Sequence, residues 1–124
     1  MVSKKPKTQR RLLYATSLHS IHSLMNVHIS KDLRKKLGVS ARSFSLRKGD
    51  RVRVMRGSHK GKTGKITKVD LKGVRAYVEG IVSRKAKGEE VPVPFIPSNL
   101  LMLDGGFDDK WRKRILARKK TGVD

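Results

Sequence analysis

The stretch whose residue types could do phosphate chemistry is Gly57-Ser58-His59-Lys60-Gly61-Lys62-Thr63. Glycines free to take positive φ, flanked by Lys and followed by a hydroxyl, are the makings of a P-loop that cradles nucleoside phosphates. The spacing argues against one. Three residues separate Gly57 from Gly61, one fewer than a P-loop has between its glycines. The continuation argues against it too. A P-loop opens a helix, whereas Lys65-Ile66-Thr67-Lys68-Val69 is rich in β-branched residues and reads as a strand. Nucleotide hydrolysis is therefore set aside. The same amides and lysines suit a phosphate in an RNA backbone turn. The competing reading is a mobile hairpin tip whose lysines only keep it soluble.

Other chemistry is thinner. His19 and His22 stand three apart, but no Cys and no third ligand lies near them. Hydrogen-bonding histidines facing RNA or protein are the simpler reading, and no metal site or cofactor is expected. Asp50, Asp70, Glu79, Glu89, Glu90 and Asp104 are scattered among basic residues. They read as salt-bridge partners, and no nucleophile–base pair accompanies them. The chain is expected not to be an enzyme and to take no small-molecule substrate.

The Gly/Lys turn needs strands to hold it. Val52 and Val54 alternate with Arg51 and Arg53, the two-residue period of a strand with one buried face. Ile66 and Val69 resume the pattern, Asp70-Leu71-Lys72-Gly73 forms a second turn, and Val74, Ala76 and Val78 alternate again. Val91, Val93 and Phe95 alternate with Pro92 and Pro94, which suits an edge strand because Pro cannot donate to a ladder. A turn at Pro97-Ser98-Asn99 leads to a closing strand at Leu100–Leu103. The expected fold is mostly β: a small SH3-like barrel of five strands over residues 47–103 with basic helical extensions at both ends. Its expected core is Val52, Val54, Ile66, Val69, Val74, Val78, Ile81, Val91, Val93 and Leu103.

The extension over residues 1–46 begins with Met1–Arg11, read as an extended cationic arm that either contacts nucleic acid or stays solvated. Leu12–Val27 has partial helical spacing, with Ser17 as a start and Leu18, Ile21, Leu24 and Met25 on one face. Ser30–Gly38 is a short helix: Ser30 caps it, Asp32 suits its positive end, Arg34, Lys35 and Lys36 suit its negative end, and Gly38 ends it. Val39–Leu46 links it to the barrel, with Phe44 and Leu46 as anchors. In the second extension, residues 104–124, Asp104-Gly105-Gly106 breaks the chain and Asp108–Lys120 reads as a basic helix. Trp111 and Ile115 share one of its faces, which makes Trp111 a packing anchor, or else a base-stacking residue.

Thirty-one Lys and Arg against ten Asp and Glu give 124 residues a formal charge of +21. So much charge repels itself in a compact chain, and a polyanion relieves that repulsion while releasing its counterions. No apolar run approaches the length of a membrane span, and none follows the first lysines as a secretory signal would require. There is no Cys, which fits a reducing cytoplasm. Aromatics make up only 5%, so backbone and shape should be read more than bases. The candidate RNA-binding residues are Arg51, Arg53, Arg56, Lys60, Gly61, Lys62 and Lys65 on the barrel. Arg10, Arg11, Arg34, Lys35, Lys36, Arg112 and Arg114 join them from the extensions.

Gly49–Val69 resembles a KOW motif, a β-hairpin built around a glycine in a basic turn, here Gly61. The motif also occurs in transcription elongation factors, and the flanks narrow the choice. Gln9-Arg10-Arg11, Leu24-Met25, Ser30–Lys36, Arg47-Lys48-Gly49-Asp50 and Ile96–Leu100 resemble the archaeal and eukaryotic form of a universal large-subunit ribosomal protein family, number twenty-four in the bacterial count and twenty-six in the eukaryotic. The resemblance runs from Lys7 to Arg118. It implies a structural, ribosome-bound, cytoplasmic protein that binds large-subunit rRNA near its 5′ end and acts early in assembly. It also implies neighbouring ribosomal proteins near the polypeptide exit tunnel as partners. The chain stops soon after its basic helix, without the Lys-rich tail of many eukaryotic members, which favours an archaeal source. The alternative is a KOW-containing transcription or translation factor that binds RNA and polymerase transiently.

Overall fold

The computed structural model describes residues 3–120. Met1 and Val2 of the cationic arm, and the last four residues of the second extension, lie outside the described residues. The elements run α1 (Pro6–Ala15), α2 (Leu18–Leu24), β1 (Asn26–Ile29), α3 (Lys31–Leu37), β2 (Ser43–Ser45), β3 (Arg51–Val54), β4 (Thr63–Asp70), β5 (Arg75–Arg84), β6 (Glu90–Phe95), β7 (Leu100–Asp104) and α4 (Lys110–Lys120). The strands form one mixed sheet in the order β2-β1-β7-β3-β4-β5-β6. The result is a mostly-β, barrel-like domain with helical ends.

The meander around the Gly/Lys turn follows from its alternation. Val52 and Val54 are fully buried while Arg51 and Arg53 face out. β3 pairs antiparallel with β4, placing Arg51 opposite Lys65 and Arg53 opposite Thr63. On β5, Ala76 and Val78 point inward, and then Ile81 does. The parity changes because Gly80 takes φ 77, a conformation glycine adopts without steric cost. β6, which carries Pro92 and Pro94, is an edge strand, as expected of a segment lacking donors.

β7 pairs antiparallel with β3, the first strand of the meander, as a closing strand should, and on its other side lies parallel to β1. Leu100 and Met102 are its inward residues, and Leu103 is half-buried, not core. The reason is plain alternation: Leu100 and Met102 point inward, so Leu101 and Leu103 share the outer face, where both line the depression beside α3. Val69 and Val93 are partly buried against the core, and Val91 is half-buried.

The amino-terminal region is more regular than expected. The arm is not extended from Pro6 onward. Pro6 sits in the first turn of α1, where its missing N–H costs nothing. Gln9, Arg10, Arg11, Leu12 and Leu13 are all good helix formers. α1 nevertheless buries no residue. The expected Leu12–Val27 helix is split between α1 and α2, and Asn26–Ile29 is a strand. Ile21 and Met25 are buried, but Leu18 and Leu24 are exposed. β1 alternates strictly, with Val27 and Ile29 inward, and pairs with β2, where Phe44 is inward. The segment before residue 47 thus adds two strands to the sheet. α3 forms as its signals dictate: the Ser30 hydroxyl accepts from the Leu33 amide at 3.2 Å, and Gly38 ends the helix with φ 63.

Gly64 shows where the sheet has no room. A Cβ there would meet Val78 Cγ1 at 2.7 Å and the Glu79 carbonyl oxygen at 2.8 Å. At Gly106 a Cβ would meet nothing within 4 Å, and φ is not positive. Gly64→Ala should therefore lose about 1–3 kcal/mol through overpacking, and Gly106→Ala should be close to neutral. Urea denaturation of both variants checks this; equal midpoints would contradict the close approach.

Candidate nucleic-acid interface

Arg51, Arg53 and Lys65 share the outer face of the sheet, because residues opposite each other in a ladder point the same way. The row continues across the sheet: Arg53 is opposite Leu101, Leu101 is opposite His28, and His28 is opposite Ser43. Helix α3 borders this row, so that one open depression is lined by His28, Lys31, Arg34, Arg42 and Arg53, with the single carboxylate of Asp32, over Leu101 and Leu103. Arg34 and Arg53, expected separately, are brought together here. His28, Lys31 and Arg42 were not among the expected residues. His28 had a signal, since it sits between Val27 and Ile29 in an alternating run; Lys31 and Arg42 had none beyond charge.

The Gly/Lys loop adjoins the same strands. Arg56, Lys60, Gly61 and Lys62 are all exposed. The loop is not a loose tip, however. Gly61 takes φ 87 and donates its amide to the Val54 carbonyl at 2.8 Å, and Val54 donates to the Lys62 carbonyl at 2.9 Å. Met55 donates to Asn99 at 2.8 Å. The His59 ring packs edge-on against Phe95, 6.0 Å between centroids, and its Nδ1 lies 3.2 Å from Lys62 Nζ. The loop cations are thus set on a braced turn.

The remaining candidates divide. Lys35 and Lys36 are exposed on α3; Arg34, half-buried, donates to the Ser40 carbonyl at 3.0 Å. Arg10 and Arg11 are exposed on α1, whose residues Gln9, Leu12, Leu13 and Ala15 line a different groove with α2. Arg114 is exposed on α4, its guanidinium 5.1 Å from the centroid of the Trp111 ring. Trp111 is not a packing anchor: it is 62% exposed. Its rotation outward has a cause at the next residue.

Arg112 leaves the candidate interface, because it is buried, at 2% exposure. Nη1 donates to Asp50 Oδ1 at 2.8 Å and to the Gly106 carbonyl at 2.9 Å. Nη2 donates to Asp50 Oδ2 at 2.5 Å and to the Ser45 carbonyl at 2.9 Å. Asp50 Oδ2 also accepts from the Arg47 amide at 2.8 Å. The guanidinium lies 5.3 Å from the Phe107 centroid, and Phe107 packs edge-on against Phe44 at 5.7 Å. Gly105 must be glycine here, since a Cβ would stand 2.9 Å from Asp50 Oδ1. The two partners are far apart in sequence, so no local pattern reveals them.

A second, half-exposed pair joins Arg47 to Asp109. Partial loss of water pushes the Asp109 pKa up. The Arg112 amide, the positive charge and hydrogen bond of Arg47, and the Trp111 amide outweigh it, so the carboxyl titrates below its ordinary range. A depressed carboxylate stabilises the fold above that ordinary range and ceases to as pH falls through the lowered value. The exposed pairs Arg84–Glu90 and Lys85–Glu89 contribute little. Among the described residues, no group of three or more His, Cys, Asp or Glu could hold a metal ion, and no helix is long and apolar enough to cross a membrane.

Fold and site together define a small polycationic β protein that presents its charge on open faces. Comparison with known proteins gives the class its family. The family model described as ribosomal proteins L26 of eukaryotes and L24P of archaea matches residues 3–119. The chain is 47% identical over 118 residues to the large ribosomal subunit protein uL24 of Pyrobaculum islandicum, covering 95% of this chain and 94% of that one. It is 43% identical over 122 residues to uL24 of Korarchaeum cryptofilum, covering 98% and 92%. The chain belongs to this ribosomal-protein family, in its archaeal form; its relatives are structural ribosomal proteins, not enzymes.

Removing one member of the buried pair strands the other. Asp50→Ala or Arg112→Ala should each cost about 3–5 kcal/mol, and Arg112→Lys should also destabilise because an ammonium lacks the planar fork. Thermal unfolding followed by circular dichroism checks this; unchanged midpoints would show that α4 is held by other contacts.

Proposed function

We propose that the chain is a structural constituent of the large ribosomal subunit, bound to the ribosome in the cytoplasm, and that it binds large-subunit rRNA directly near the 5′ end of that RNA. On this reading it supports early subunit assembly and lies with neighbouring ribosomal proteins near the polypeptide exit tunnel. The observation that carries RNA binding is the cationic outer face: Arg51, Arg53 and Lys65 fixed by strand register, with Arg34 and Arg42 at its border. Family membership supplies the ribosome; the placement on the 5′ region and near the tunnel follows the resemblance of the motif and its flanks.

The mechanism is charge neutralisation on a shaped surface. Each phosphate met by Lys or Arg releases condensed counterions, so affinity falls steeply with salt. Contacts of this kind position the protein and carry no sequence information. Cations on strands and on a braced turn are already ordered, so less conformational entropy is lost on binding than for cations on a free chain. Lys60 and Lys62 flank Gly61, whose open side leaves room for a backbone phosphate.

Two measurements test the reading. In salt gradients of lysate, the chain should co-migrate with the large subunit at high salt, near one copy per particle; loss as salt rises, or migration with RNA polymerase, would favour a transient factor. Purified protein should bind a transcript of the 5′ region of large-subunit rRNA more tightly than one of the 3′ region. Arg51→Ala and Arg53→Ala should weaken binding to all sequences alike and each lower the slope of log affinity against log salt by about one. A change in sequence preference would contradict backbone contact.

A further inference from the structure

Helix α4 has two unlike faces. Arg112, Leu116 and Lys119 turn toward the sheet: Leu116 is buried, and Lys119 Nζ reaches the Ser43 carbonyl at 3.3 Å and lies 4.6 Å from the Phe44 centroid. Trp111, Arg114, Ala117 and Arg118 line a shallow groove on the opposite face. An indole carries the largest apolar surface of any side chain, and leaving it in water forgoes the gain of burial. The carboxy-terminal helix could have turned it inward, but the Arg112–Asp50 pair sets the rotation and holds Trp111 at 62% exposure. Arg114 stands by the ring as a cation on its π system.

We propose that Trp111 and Arg114 form a stacking site for a single unpaired RNA base. The inference rests on the RNA-binding reading above and adds to it a nucleobase contact. An exposed indole stacks on any base, and a guanidinium plane extends the stack. The surroundings select a nucleic acid over an apolar peptide: Lys110, Lys113 and Arg114 stand within one turn of the ring, ready for the flanking phosphates. Ala117 keeps the groove floor low, so an extruded base can lie along the helix. Most of this protein's interface reads charge and shape; this site would recognise unpaired RNA against duplex.

Trp111 is the only Trp of the chain, so its fluorescence, excited clear of tyrosine, reports this site alone. Single-stranded oligouridylate added to the full-length protein should quench it; inorganic polyphosphate of matched charge should not. Trp111→Leu should raise the Kd for oligouridylate on the order of tenfold, leave the Kd for polyphosphate and the thermal midpoint unchanged, and Trp111→Phe should recover most of the loss. Equal quenching by polyphosphate overturns the proposal, as does a Trp111→Leu chain that binds oligouridylate like the unaltered protein. A variant with undiminished RNA affinity that is nevertheless depleted from large subunits overturns it in favour of a protein neighbour on the ring. Failure of the unaltered chain to bind any RNA at moderate salt overturns the RNA-binding reading as well. The quenching arm needs no variant, so it stands even if a substitution disturbs folding.

Discussion

The Arg112 guanidinium joins parts of the chain that would otherwise drift apart. It spans the Asp50 carboxylate ahead of β3, the Ser45 carbonyl at the end of β2 and the Gly106 carbonyl in the turn before α4. A planar fork has one geometry in which its donors meet these acceptors, so the pair fixes the helix in rotation as well as in place. Gly105 and Phe107 follow from it: one gives room to the carboxylate, the other covers the cation and packs on Phe44. Among the described residues Arg112 Nε finds no hydrogen-bond partner, so the site is built around the two terminal nitrogens. In a chain of charge +21, an arginine drawn inward also needs its counter-charge supplied by the fold itself, and Asp50 supplies it.

What was legible in the sequence was the local signal. Alternation located β3, β4, β5 and β6, and two prolines marked the edge. Ser30 and Gly38 bounded α3 because capping acts over one turn. What escaped were features decided by distant partners. β1 and β2 are four and three residues long; the helical spacing of Leu12–Val27 masks the first, and both are completed by pairing, β1 on β7 and β2 on β1. Leu103 lies outward because alternation along β7 runs from the inward Leu100 and Met102, a phase that four apolar residues in a row, Leu100–Leu103, do not reveal. At Asp70–Gly73, glycine was the natural residue for a left-handed position. Val74 takes it instead, with φ 52, while at Gly73, whose amide donates to the Asp70 carboxylate at 3.2 Å, a Cβ would stand 2.9 Å from Asp70 Oδ2.

The site shows the same division. Arg51, Arg53, Lys65 and the loop cations were legible because outward positions on a strand or turn are set by short-range pattern. Arg112 was not. In sequence it is one of many basic residues on a basic helix, and only its partner 62 residues away distinguishes it. Trp111 was misplaced for the same reason, since an apolar neighbour four residues on is a sound argument for burial until a stronger contact sets the helix phase. Charge count alone therefore overstates an interface: some cations belong to the fold, and burial decides which.

The arrangement also keeps the like charges of so basic a chain apart. The apolar core lies on one side of the sheet, and the outward cations are spread over strand, loop and three helices, not concentrated at a point. Spread in this way, mutual repulsion is screened by ordinary salt over about 8–10 Å and does not oppose core formation at any one place. Set out on strand and turn, Arg51, Arg53, Lys60, Lys62 and Lys65 remain exposed to a phosphate. α1, which buries nothing of its own, is the exception: its helix is held by propensity alone, so its lasting order must come from whatever its exposed Leu12, Leu13 and arginines meet.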